Sequence, residues 1–162
     1  MIGKTRSYIA LKDHPPASPS VGRTVLIVED CILTRHAVCD ALRYAGCTVL
    51  EAAMGQEAVR ILKSRPVDVV FVDVHLPSEA EGLLVASYAR LRQPQARVIV
   101  TSGQRRKGDQ EAAEFLGSFV AKPYLIGRVV QMIQAGFAAD PAPIPAPERL
   151  DALVSPEPVW ET

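Results

Sequence analysis

The chain has 162 residues and is 48% apolar, which leaves room for one domain with a sizeable core and for tails. Its 18 Lys and Arg balance 18 Asp and Glu, so no global field selects nucleic acid, and no apolar run approaches the roughly 20 residues needed to span a bilayer. Cys31, Cys39 and Cys47 form neither a CxxC pair nor a Cys/His ligand spacing, so they read as buried or incidental thiols in a reducing compartment rather than a zinc site.

Residues 1–22 end in the stretch His14-Pro15-Pro16-Ala17-Ser18-Pro19-Ser20, which sustains neither helix nor sheet and is expected to be a flexible arm. Its one apolar patch, Tyr8-Ile9-Ala10-Leu11, is broken by Lys12 and Asp13, too little for a signal peptide. A cytoplasmic protein is therefore expected. Residues 23–138 carry the domain, and 139–162 form a tail punctuated by prolines, with Leu150, Leu153, Val159 and Trp160 as apolar residues that could dock on the domain or a partner.

Within the domain, strand and helix patterns alternate five times. Thr24–Val28 is an apolar strand, and residues 31–45 follow as a helix with Thr34, Ala37, Val38, Ala41, Leu42 and Ala45 on one face, stopped by Gly46. Cys47–Ala52 is a second strand; Gly55–Ser64 is a helix with Ala58, Ile61 and Leu62 inward, ending before Pro66. Asp68–Val72 is an almost unbroken apolar strand, the pattern of a central parallel strand buried on both faces. Helix 82–92, strand Arg97–Val100, a weaker helix from Gln104 to about Leu116, strand Ser118–Ala121 and helix Leu125–Phe137 complete the series. The last helix carries Leu125, Val129, Met132 and Ile133 as its core stripe. Repeated right-handed β-α crossovers imply a parallel sheet with helices on both faces.

Four strands end on residues suited to phosphoryl chemistry: Glu29-Asp30, Asp73, Thr101 and Lys122-Pro123. Strand C-termini of an open parallel sheet gather at one edge, where ligands bind. Three carboxylates brought together repel unless a divalent cation sits among them, and hard oxygen ligands favour Mg²⁺, with Mn²⁺ as a substitute. Taken alone, Glu29-Asp30 could equally cap the following helix. Lys122 offers a point charge that either holds a phosphoryl oxygen or pairs with the aspartate, and Thr101 offers a hydrogen bond to another oxygen. Pro123 removes a ladder donor, and the X-Pro bond before it suits a cis turn.

The motifs VLIVEDC (25–31), FVDVHLP (71–77), VIVTSG (98–103) and FVAKPY (119–124) resemble those of response-regulator receiver domains of two-component signalling systems. The resemblance implies an α/β, doubly wound, five-stranded parallel sheet of flavodoxin-like order 2-1-3-4-5. It makes Asp73 the phosphoryl acceptor from a sensor histidine kinase or a histidine phosphotransfer protein. It assigns Mg²⁺ to Glu29, Asp30, Asp73 and the backbone carbonyl of His75, and phosphoryl contacts to Thr101 and Lys122. Thr101 and Phe119 become the switch pair, and roughly residues 103–135 the output surface, for a downstream protein or a second copy of the chain. With only a short proline-rich tail after the domain, a stand-alone, non-enzymatic phosphoacceptor without nucleic-acid or membrane partners is expected. The alternative is a receiver-fold interaction module that works without phosphorylation.

A phosphatase of the aspartyl-phosphate type would show a carboxylate two residues after its nucleophile, where this chain has His75. A flavodoxin-like nucleotide binder needs a glycine- or hydroxyl-rich loop where this chain has Glu29-Asp30-Cys31. The chain also departs from the family pattern. The loop after Asp73 is one residue longer, and Glu81 stands before Gly82 where Asp is usual. His75 either lines the path of an attacking water or is a solvent-facing loop residue. Gly103 leaves one rim of the site open. Arg105-Arg106-Lys107 either steers an acidic partner or is a solvated helix start.

Overall fold

Five apolar segments pair side by side as parallel strands in a computed structural model of the protein, which describes residues 22–77, 81–103 and 107–135. The elements alternate as β1 (Thr24–Val28), α1 (Ile32–Tyr44), β2 (Thr48–Ala52), α2 (Gly55–Ser64), β3 (Val69–Asp73), α3 (Glu81–Arg92), β4 (Arg97–Ser102), α4 (Lys107–Leu116), β5 (Ser118–Ala121) and α5 (Ile126–Ala135). The strand order is β2-β1-β3-β4-β5, the doubly wound, flavodoxin-like arrangement.

Alternation along each strand sorts its side chains into two cores. Leu26, Val28, Val70, Val72, Val98 and Val100 face one way and are covered by α2, α3 and α4 through Ala58, Val59, Leu62, Val85, Ala86, Ala89 and Leu116. Val25, Ile27, Val69, Phe71 and Ile99 face the other way, under Val38, Cys39 and Leu42 of α1 and Val129 and Ile133 of α5. Every residue of β3 is buried, as its continuous apolar run requires at the centre of a sheet. Cys39 and Cys47 are buried free thiols and Cys31 is exposed; burial pushes the Cys39 thiol up to about 12.

Connections are held by polar groups with long-range partners. The side chain of Asp68 accepts the Thr24 N–H at 2.7 Å, so Asp68 ties the start of β3 to β1 instead of extending the strand. Buried Gln93, just after α3, accepts the Val67 N–H at 2.8 Å and donates to the carbonyls of Leu62 and Arg65 at 2.8 and 2.9 Å. Gly46 takes φ +88° after α1, the left-handed turn that a helix-ending glycine supplies.

Two expected core positions are corrected. Leu125 is 79% exposed, because it precedes α5 and its carbonyl accepts the N–H groups of Arg128 and Val129; Ile126 takes its place against the core. Ala37 of α1 is exposed, since that helix buries Val38, Cys39 and Leu42. β3 and β4 run on to include Asp73 and Thr101. Residues 1–21, the tail 139–162 with its four apolar residues, Phe137, and Arg105-Arg106 lie outside the described residues. Among the described residues no helix is long and apolar enough to cross a membrane.

Candidate functional site

Register brings the distant motifs together. Val28 pairs with Val72 across β1 and β3, so Glu29 and Asp73 emerge side by side. Asp73 itself pairs with Thr101 across β3 and β4, and Ser102 pairs with Ala121 across β4 and β5, which delivers Lys122 to the same edge. The ladder continues past the strand ends: Val74 N–H donates to the Thr101 carbonyl and Lys122 N–H to the Ser102 carbonyl, both at 2.8 Å.

Lys122 Nζ donates to Glu29 Oε2 at 2.7 Å and to Asp73 Oδ2 at 2.5 Å. Glu29 is 1% exposed and Asp73 5%. Two carboxylates this buried need a countercharge, and one ammonium supplies it to both. Burial pushes the Glu29 carboxyl above its usual range, against the pull of Lys122 and with the help of Asp73. Burial works to lower the Lys122 ammonium, but its bonds to Asp73 and Glu29 outweigh this and hold it above its ordinary value.

Oxygens of Glu29, Asp30 and Asp73 lie within 4.8 Å of one another. An octahedral Mg²⁺ with bonds of about 2.1 Å holds neighbouring and opposite oxygens about 3 to 4 Å apart, so a small contraction makes these three a fitting set of hard ligands. Asp30 is exposed and does not cap α1: the residue at the cap position is Cys31, with no side-chain cap. That leaves its carboxylate to the acidic cluster. Glu29 Oε1 accepts the Cys31 N–H at 3.3 Å, and Arg35 donates to the Glu29 carbonyl at 2.6 Å, so α1 holds this residue from both sides.

Thr101 is fully buried, and its hydroxyl has no hydrogen-bond partner among the described residues. An unsatisfied buried hydroxyl is costly unless something visits it. Phe119 on β5 is half-buried and packs on the core beneath α4. The Lys122-Pro123 peptide is cis.

Several features of the site lay beyond the sequence. His75 is neither fully buried nor free in solvent: its N–H donates to Asp73 Oδ1 at 3.1 Å and its Nδ1 lies 3.2 Å from Ser102 Oγ. Glu81 is 7% exposed and its Oε1 accepts the Gly55 N–H at 2.7 Å, so the longer side chain in this position reaches the first turn of α2. Gly82 backs directly onto Asp73, where a Cβ would come 1.9 Å from the Asp73 carbonyl oxygen. Beside Lys122, a cavity of about 610 Å³ is lined by Leu33, Thr34, Ala37, Gly103, Tyr124 and Ile126 among others. Burial raises the Tyr124 phenol to about 12.

A doubly wound sheet with acid, hydroxyl and ammonium groups at its C-terminal edge defines a class of phosphoryl-handling signalling domains. Residues 25–134 match the response regulator receiver domain family, and the chain belongs to it. It is 32% identical over 116 residues to the chemotaxis protein CheY of Thermotoga maritima, covering 70% of this chain and 96% of that protein. It is 38% identical over 105 residues to a protein-glutamate methylesterase/protein-glutamine glutaminase of Archaeoglobus fulgidus, covering 61% of this chain and 29% of that one. The crystal structure of a response regulator from Thermotoga maritima superposes with a TM-score of 0.64 at 26% identity, over 74% of this chain and all of that one. The chain spans only 21% to 47% of the length of several curated relatives it matches, the methylesterase among them.

Proposed function

We propose that this chain is a phosphoacceptor, organised as an arm (1–22), a receiver domain (23–138) and a proline-rich tail (139–162). Asp73 takes a phosphoryl group from the phosphohistidine of a sensor histidine kinase or a histidine phosphotransfer protein. The observation that carries this reading is the buried Thr101 hydroxyl, without a hydrogen-bond partner among the described residues and in register with Asp73. An oxygen of a group attached to Asp73 is what that hydroxyl lacks.

In the transfer, an Asp73 oxygen bonds to phosphorus while the donor's N–P bond breaks and its electron pair leaves with the imidazole. Lys122, already seated between Glu29 and Asp73, turns its charge to the phosphoryl oxygens. Glu29, Asp30, Asp73 and the His75 carbonyl are the residues that would hold Mg²⁺ or Mn²⁺, which when bound supplies Lewis-acid charge to the same oxygens. Thr101 then moves toward the phosphoryl group and Phe119 follows, shifting a two-state equilibrium of the surface made by α4, β5 and α5. The position of β5 at the sheet edge, with all four residues only part-buried, supports that surface as the place where a downstream protein or a second copy reads the signal.

Incubation of the full chain with radiolabelled acetyl phosphate tests the reading. Mg²⁺-dependent labelling that disappears in Asp73→Asn is expected. Equal labelling of Asp73→Asn excludes Asp73 as the acceptor, and an unlabelled parent that still captures its target favours the phosphorylation-independent module.

A further inference from the structure

The start of α1 and the start of α5 leave apolar side chains uncovered. Among the described residues six large hydrophobic side chains are exposed, and three of them, Ile32, Leu33 and Leu125, stand at these two helix starts. The cavity of about 610 Å³ lies here: Leu33, Thr34 and Ala37 of α1 form one wall, Tyr124 and Ile126 the other, and Gly103 and Lys122 join it to the edge that carries Asp73. Its size suits an organic side group rather than an ion. Apolar surface gathered in one place in this way marks a contact site.

The chain carries an occupant of its own. Residues 136–162 continue from α5, the helix whose first residue lines the groove, and they bring Leu150, Leu153, Val159 and Trp160, the chain's one tryptophan. α5 has 10 residues and is therefore about 15 Å long, the distance that a returning chain has to cover. Residues 136–149, with Pro141, Pro143, Pro145 and Pro147, span about 40 Å when extended at about 3.1 Å per residue, so Leu150 and all that follows can reach the groove.

We propose that this tail folds back along α5 and seats the Trp160 indole, with Val159 beside it, in the groove between α1 and the start of α5. The chain thereby covers this face itself, and an outside protein that uses the groove has to displace the tail. Tethering makes a weak contact sufficient. At an effective concentration of about 1 mM, an intrinsic dissociation constant of about 0.1 mM leaves about ten chains docked for each one undocked. The large apolar area of an indole brings a contact of that strength within reach. The docking needs no phosphoryl group, so it stands or falls apart from the role of Asp73.

Trp160 reports its own position. Indole emission and acrylamide quenching of the full chain are compared with those of a free peptide of residues 148–162. The full chain is expected to emit at shorter wavelength than the peptide and, with about half of the indole covered, to be quenched about twofold less. Leu33→Asp, on a side chain that is 78% exposed, and Ala37→Glu, on the same wall, are each expected to restore the peptide's values. Leu91→Asp, on α3 across the sheet, is expected to keep those of the parent, and circular dichroism verifies the fold of every variant. Peptide-like values in the parent, or parent-like values in a folded groove variant, overturn the proposal. If one groove variant does not fold, the other decides alone. A return to peptide-like values on dilution assigns the groove to a second copy's tail and overturns docking within one chain.

Discussion

The Lys122 ammonium lies 2.5 Å from Oδ2 of Asp73, a residue 49 positions earlier in the chain. It also reaches Glu29, so one cation balances two carboxylates that are almost wholly buried. Replacing it with a neutral side chain leaves two buried charges uncompensated, which costs several kcal/mol in a dry site and less here, where Lys122 is part-exposed. Lys122→Met is expected to lose about 2 kcal/mol in urea unfolding without Mg²⁺. Adding Mg²⁺ should return part of that loss, because a cation bound as proposed would sit among the same carboxylates. Equal loss with and without Mg²⁺ would separate the lysine's partners from the metal site.

Glu29 supplies the pH dependence. Its carboxyl is raised above the ordinary 4.5 by burial, so between that value and its folded pKa the native state binds more protons than the unfolded chain. Its contribution is thus favourable at low pH and is lost as pH rises through that window. Relative to Glu29→Gln, the parent should lose unfolding free energy across this interval. Mg²⁺ binding needs the carboxylate ionised, so affinity measured by calorimetry should climb over the same interval, with proton release, and this rise should flatten in Glu29→Gln.

Thr101→Val removes a buried hydroxyl that has no partner among the described residues while keeping the side chain's shape. The variant is expected to be as stable as the parent or about 1 kcal/mol more stable by urea unfolding. It should nevertheless lose the beryllofluoride-induced shifts of amide resonances in β4 and β5. A stability loss of more than about 1 kcal/mol would mean that the hydroxyl has a partner in the unmodified protein.

The glycines divide by what surrounds them. A Cβ on Gly82 would lie 1.9 Å from the Asp73 carbonyl oxygen, against backbone that cannot move without displacing Asp73, whereas one on Gly127 meets nothing within 4 Å. Gly82→Ala should cost about 3 kcal/mol and reduce labelling of Asp73. Gly127→Ala, in the exposed first turn of α5, should add about 0.5 kcal/mol with labelling unchanged. Thermal unfolding of the two variants checks both signs.

What could be read from the sequence followed from patterns that local physics enforces. The unbroken apolar run before Asp73 required a central strand, and right-handed crossovers required parallel neighbours, so the meeting of Glu29, Asp73, Thr101 and Lys122 at one edge was legible before any coordinates. Helix phase at the ends was less so: Leu125 matched the stripe of α5 by spacing, yet it caps that helix and points away from the core. Side-chain partners far apart in the chain left no local trace. Nothing near Glu81 indicates that its carboxylate bonds Gly55, and nothing near His75 indicates Ser102. The departure of Glu81 from the family pattern was visible, but its consequence, a link between α3 and α2, depends on how the two helices pack.

The most direct measurement of the central claim locates the phosphoryl group itself. The full chain is treated with acetyl phosphate and Mg²⁺, reduced with borohydride, digested and mapped by mass spectrometry, since reduction converts an aspartyl phosphate to homoserine. Homoserine at position 73 alone, absent when Mg²⁺ is chelated, is the predicted result. Homoserine at Asp30 or elsewhere with Asp73 intact, or a phosphorylated chain with no homoserine at all, would contradict the account.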